Sequence, residues 1–197
     1  GSGKSTTLYA GLQVLAADPT RKVITVEDPI EYALDGIQQT QVKPEIGFEF
    51  AHAMRAFVRE DPDVILVGEI RDRETMQACI NLSGTGHLVL ATLHANNCAE
   101  TMDRIINMFP RDQHNQIFLD LSQYLKAIAA QRLVFGKDGK RLAAVEVMLN
   151  TPHISELVKK GDVSGIKEAI VQSSERGVQS FDHALYELVK QGRVELE

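Results

Sequence analysis

Six residues at the start of the chain, Gly1-Ser2-Gly3-Lys4-Ser5-Thr6, restrict its possible folds more than any other stretch. They match the end of the pattern G-x-x-x-x-G-K-[ST], with Gly3, Lys4 and Ser5 in its last three positions. Each residue type has a physical reason. Glycines let consecutive backbone N–H groups curl around a polyphosphate with no Cβ in the way. A lysine at position 4 can reach the β- and γ-phosphates, and a hydroxyl at position 5 can hold Mg²⁺. Leu8, Leu12 and Leu15 follow at helical spacing, so the loop opens onto a helix N-terminus, where the dipole favours an anion. A flexible Gly/Ser-rich terminus would not be followed at once by an amphipathic run. Gly1, Ser2, Gly3, Lys4, Ser5 and Thr6 are therefore the candidate nucleotide-binding residues. The full pattern needs a preceding strand and a glycine three residues ahead of Gly1, so the sequence is expected to be a piece cut inside its own nucleotide site.

The 197 residues suffice for one large domain, or for one domain with a smaller appendage. Apolar residues at 44% and charged residues at 24% are ordinary for a globular chain. No apolar run approaches the roughly 18 residues of a membrane span. Cys79 and Cys98 have no C-x-x-C partner, which excludes a zinc or disulfide framework and fits a reducing compartment. A net charge of −6 without a Lys/Arg block argues against a nucleic-acid surface.

Along the chain, β-branched runs alternate with amphipathic windows, the pattern of an α/β fold with a mostly parallel sheet. Lys22–Glu27 is the first strand, and it runs into Asp28-Pro29-Ile30-Glu31. Its carboxylates lie where open α/β sheets place their ligands. Alone they would be turn residues; behind a phosphate loop they can orient water, hold Mg²⁺ or act as a general base. Residues 33–47 have no helical period and contain Gly36, Pro44 and Gly47, which predicts a surface loop or a small hairpin. A helix from Phe48 is predicted to bury Phe50, Met54, Phe57 and Val58. It carries Arg55 and Arg59 on one face, either as a solvated pair or as phosphate or carboxylate binders. Val64–Val67 followed by Gly68-Glu69-Ile70-Arg71 has the form of a strand whose terminal acid meets Mg²⁺ through a water.

A helix is predicted over 73–82, then a buried strand over 87–94 with a histidine at each end. A strand of that length holds His87 and His94 about 23 Å apart, which suits a sensing role better than a shared zinc. Helices are predicted over 98–109 and 112–132, and a hairpin joins Leu133–Phe135 to Ala143–Leu149 through Gly136–Lys140. Three helices, 152–160, 163–173 and 180–191, complete the chain. A boundary near 150 divides a core, 1–150, from a helical tail, 151–197.

Four strings in this order resemble the ATPase superfamily that powers type II secretion and type IV pili: Gly1–Thr6, Val26–Glu31, Arg59–Asp72 and Gly86–His94. The resemblance covers essentially the whole chain. It implies a RecA-like P-loop core with ATP and Mg²⁺, and a hexameric ring, either of one chain or shared with a paralogue. It further implies a cytoplasmic enzyme at the inner face of the membrane, where an inner-membrane pilus platform protein is its partner. Glu31 would then activate water, Glu69 and Ser5 would serve the metal, and Lys4 would hold the phosphates. His87, His94, Arg55, Arg59 and Arg71 would couple or sense the nucleotide state. Lys140–Leu149 and Gly177–Leu185 resemble the pilus-retraction branch, and no four-cysteine insert of the assembly type is present. The retraction ATPase proper has a basic motif close to A-I-R-N-L-I-R, where this chain has His153–Lys159 with Ser155 and Glu156. That difference points to its paralogue. Val26–Tyr32 and Leu34–Ile37 look more like the secretion members.

The leading expectation is thus a retraction motor, with a secretion or pilus-assembly ATPase as the alternative within the superfamily. A non-catalytic ring subunit and a RecA-like DNA motor are alternatives of other classes. Intact Lys4, Glu31 and Glu69 favour the enzyme over the first, and the acidic balance counts against the second. Lacking the upstream loop residues and their phosphate-cradling N–H groups, residues 1–197 alone are expected neither to hydrolyse ATP nor to form a stable ring.

Overall fold

Where the apolar residues are β-branched and consecutive they form strands, and where they recur every third or fourth position they form helices. A computed structural model describes residues 3–195. They divide into two compact units, one of residues 4–93 and one from His94 onward that also takes in Gly3.

The first unit begins with helix α1 (Lys4–Ala16) and strand β1 (Val23–Glu27), whose residues are all buried. Strand β2 (Gln38–Gln41) pairs parallel with β1. Helix α2 (Phe50–Phe57) precedes the buried strand β3 (Val64–Val67), and helix α3 (Arg73–Gly84) precedes strand β4 (Leu88–Ala91). The sheet order is β2-β1-β3-β4, and every pairing is parallel. This is the α/β architecture that the alternation predicts. Tyr9 and Leu12 of α1 pack with Val23, Leu34, Val64 and Leu66, so the helix that follows the glycine loop is fastened to the middle of the sheet.

The second unit contains helices α4 (Cys98–Asn107) and α5 (His114–Tyr124), then the antiparallel strands β5 (Ala127–Phe135) and β6 (Arg141–Leu149). Helices α6 (Pro152–Lys160), α7 (Val163–Gln172) and α8 (Phe181–Lys190) complete it. Thr151, Asp162 and Ser180 cap these three helices by accepting from the backbone N–H three residues on. The change near residue 150 is one of secondary structure, from β6 to three helices, inside this unit.

Four local expectations are corrected. Residues 38–41 are an edge strand of the parallel sheet, not part of a surface hairpin. Gln-Gln-Thr-Gln has no apolar run because the strand is half exposed and is held by its backbone ladder. Only a short antiparallel bridge, Lys43 to Phe48, closes the turn that follows. Val58 is 55% exposed, because the chain tightens into a 3-10 turn at Val58–Glu60 and leaves the buried face of α2. The strand predicted over 87–94 is β4 alone, an edge strand with partly exposed side chains. The long helix over 112–132 stops at Tyr124. Ile128 and Ala130 are buried and Ala127 and Ala129 exposed, a period of two that the alanine-rich composition disguised.

Leu12 is fully buried between α1 and the sheet. Leu12→Ala is expected to lower unfolding stability by about 2–5 kcal/mol, because the cavity adds to the lost transfer energy. A urea titration of the chain measures it.

Candidate active site

The parallel ladder brings the C-terminal ends of β1 and β3 together, and the acidic segments predicted from the sequence both leave the sheet there. Gly68 explains how closely they approach. Its N–H donates to the carbonyl of Val26 at 2.8 Å. A Cβ at this position would lie 3.2 Å from both the Val26 oxygen and the Glu27 Cα, so a side chain would push the two strand ends apart. Beyond it, Ile70 N–H donates to the carbonyl of Thr92 at 2.9 Å, which ties the segment after β3 to the segment after β4.

Glu27 is buried, and its carboxylate is surrounded by donors. The Tyr9 hydroxyl donates to one oxygen. The Thr25 hydroxyl (2.5 Å) and the Gln39 amide (3.2 Å) donate to the other. Burial first, and then the hydrogen bond to Glu27, push the Tyr9 phenol up to about 12. Glu31 lies on the exposed loop after β1, and its backbone N–H donates to the Tyr9 hydroxyl at 3.2 Å.

Asp28 and Glu69 share one cation. Arg71 Nε donates to Glu69, and its Nη1 lies 3.3 Å from Asp28. The hydrogen bond and charge of Glu69, followed by the charge of Asp28, raise the Arg71 pKa further. The two acidic segments are thereby joined by a guanidinium as well as by the sheet.

The remaining predicted residues are distributed as follows. Gly1 and Ser2 lie outside the described residues. Gly3 has a φ of +85°, the left-handed region that glycine supplies, and a Cβ there would lie 2.8 Å from the Gln131 amide nitrogen. Lys4, Ser5 and Thr6 form the first turn of α1, with Lys4 half-buried and the two hydroxyl residues exposed. Their backbone N–H groups have no partner within the helix, as in any first turn. Arg55 pairs with Glu74 on the surface, and Arg59 sits in the exposed turn after α2, so neither is joined to the acidic cluster. His87 is half-buried just before β4, with Nδ1 3.1 Å from the Leu82 carbonyl. Donation to that carbonyl leaves Nε2 as the acceptor. His94 is exposed and begins the second unit.

Among the described residues no group of three or more His, Cys, Asp or Glu side chains is arranged to hold a metal ion. Both cysteines are buried free thiols, and burial pushes Cys79 up to about 12.

Sequence reasoning missed Tyr9 and Gln39. Tyr9 lies among apolar positions of α1, where a buried phenol implies an acceptor. Gln39 sits in a polar stretch whose strand character only the ladder reveals. In the second unit Arg132 was also passed over. Its guanidinium stacks 4.5 Å over the Phe181 ring and donates to the Asn96 carbonyl at 3.2 Å. Asn96 in turn donates to Glu100 from its backbone (3.0 Å) and its side chain (2.8 Å), and these bonds lower the Glu100 pKa.

Comparison with known proteins adds four findings. Residues 1–141 match the family described as Type II/IV secretion system protein. The chain is 45% identical to the type IV pilus ATPase PilU of Pseudomonas aeruginosa, an alignment that covers 100% of this chain and 53% of that relative. It is 52% identical to the type II secretion system ATPase E of Vibrio cholerae, but over only 68% of this chain and 25% of that relative. The crystal structure of the pilus retraction motor PilT with bound ADP superposes with a TM-score of 0.88 at 36% identity, covering 100% of this chain and 56% of that one. The chain thus spans about half the length of its pilus relative.

Because its folded phenol holds the proton more tightly than an unfolded one, Tyr9 contributes stability that is complete below about pH 10. That contribution is lost as the pH rises towards about 12. A spectrophotometric titration of the four tyrosines should contain a last step near pH 12, absent in Tyr9→Phe.

Proposed function

The chain belongs to the Type II/IV secretion system protein family, and from that premise we propose that its intact parent is the ATP-hydrolysing motor of type IV pilus retraction and twitching motility. The observation that carries this reading is the meeting of two acidic segments at the joined ends of β1 and β3, in the same unit as the Lys4–Ser5–Thr6 turn. The pilus branch is favoured over the secretion branch because the likeness to PilU runs through the second unit, whereas the likeness to the secretion ATPase stops short of the full chain.

In this reading Lys4 bonds the β- and γ-phosphates and the first-turn N–H groups of α1 face the polyphosphate. Glu31 accepts a proton from the attacking water as its oxygen bonds to the γ-phosphorus. The bond from that phosphorus to the β–γ bridging oxygen breaks, and ADP leaves. Mg²⁺ fits the donor set, since it takes one or two protein oxygens together with phosphates and waters. Ser5 offers an exposed hydroxyl and Glu69 a half-buried carboxylate for it. When bound, the ion neutralises charge on the β- and γ-oxygens. Arg71 is held against Glu69 and Asp28, and it serves with His87, His94, Arg55 and Arg59 to sense nucleotide state. The parent works as a hexameric ring of one chain or with a paralogue. It acts in the cytoplasm against an inner-membrane pilus platform protein, and no nucleic acid takes part.

Steady-state ATPase and nucleotide-binding measurements on the full-length parent test this. Lys4→Ala should weaken binding by about ten- to a hundredfold, the loss of a charge-assisted hydrogen bond. Glu31→Gln should spare binding and slow turnover by about 10²–10⁴, because only the proton acceptor is gone. Parental turnover in Glu31→Gln would remove the base assignment, and an inactive parent would remove the motor.

A further inference from the structure

The loop between β1 and β2 hangs from side chains rather than from a backbone ladder. Ile30 N–H donates to the Gln41 amide oxygen at 3.3 Å, Glu31 N–H to the Tyr9 hydroxyl at 3.2 Å, and Leu34 N–H to the Gln39 amide oxygen at 2.7 Å. The Gln39 amide nitrogen also donates to the Tyr32 carbonyl at 3.1 Å. The Tyr9 and Tyr32 rings meet edge-on with centroids 4.7 Å apart. Two of the anchors, Tyr9 and Gln39, are the same groups that donate to buried Glu27.

Tyr9 is therefore a junction. It is rooted in α1, the helix that begins with Lys4, it donates into the end of β1, and it accepts from the backbone of Glu31. From this geometry we infer that Tyr9, together with Gln39, is a positioning residue for Glu31. The two side chains set where the loop carries that carboxylate relative to the phosphate-binding helix. The inference rests on the reading of Glu31 as the water-activating group. Because burial keeps the Tyr9 phenol protonated to about pH 12, its donor to Glu27 persists across the neutral range. The same oxygen keeps a lone pair for Glu31.

A purely structural role would act through Glu27 alone, since removing any donor leaves a buried carboxylate less satisfied. Thr25 separates the two cases. It donates to the same carboxylate, is fully buried, and makes no contact with the loop among the hydrogen bonds described here.

The experiment compares Tyr9→Phe, Gln39→Met and Thr25→Val in the full-length parent, reading nucleotide affinity, kcat and backbone amide hydrogen exchange. For Tyr9→Phe the expected result is unchanged affinity with kcat lower by about ten- to a hundredfold, as for a misplaced reacting group. Exchange at Glu31 should be faster by about three- to tenfold, the loss of one hydrogen bond. Gln39→Met should reproduce the fall in kcat with faster exchange at Leu34, which keeps the test open if Tyr9→Phe folds poorly. Thr25→Val should keep kcat and the slow exchange at Glu31. Parental kcat in Tyr9→Phe, slow exchange retained at Glu31, or an equal fall in kcat with Thr25→Val would each overturn the inference. Parental turnover in Glu31→Gln would instead sink the base assignment, and the exchange results would still report whether Tyr9 holds the loop.

Discussion

A carboxylate buried at the end of a sheet strand costs several kcal/mol unless donors surround it. Glu27 is such a group, and its donors come from three elements: Tyr9 of α1, Thr25 of β1 itself and Gln39 of β2. Satisfying one acceptor thus fixes a helix and two strands with respect to one another. The apolar contacts of Leu12, Val23, Val64 and Leu66 hold α1 against the sheet but are not directional. The polar cluster supplies the register that packing alone leaves loose.

The acidic segments are close for a reason of backbone geometry. Parallel pairing of β1 and β3 aligns their ends, and the missing side chain at Gly68 lets the chain leave β3 against the backbone of Val26 and Glu27. The ion pairs that Arg71 makes there are exposed, and pairs of that kind contribute about 0–1 kcal/mol. They do not hold the fold. Packing and the ladder bring Asp28 and Glu69 together, and Arg71 pairs with both.

Much of this was legible in the sequence. The buried strands Val23–Glu27 and Val64–Val67 are β-branched runs, and the terminal helices carry their caps and stops in the letters themselves: Thr151-Pro152 and Gly161-Asp162. Two of the misreadings share a cause. Gln38–Gln41 and Ala127–Ala130 are strands because other strands lie beside them, and neither polar nor alanine-rich composition records a neighbour. For the site, the glycine loop and the acids at strand ends were visible because their chemistry fixes their residue types. Tyr9 and Gln39 were not, because a tyrosine on an apolar helix face and a glutamine in a polar stretch have many ordinary uses. Only the distances to Glu27 and to the loop backbone single them out.

The acids at the site differ in what remains available to each. Both Glu27 oxygens accept from buried donors, so a proton taken from water would have to displace one of them. Asp28 and Glu69 are engaged by Arg71, which occupies part of their lone-pair capacity. Glu31 is held differently. Its backbone N–H is fixed by Tyr9, while its carboxylate stands on the exposed side of the loop and takes part in no side-chain hydrogen bond among those described. A general base needs a lone pair that is free and a position that is not. Of the four acids, Glu31 alone combines an anchored backbone with a carboxylate outside the described side-chain hydrogen bonds, and that contrast is the physical ground for proposing it as the proton acceptor.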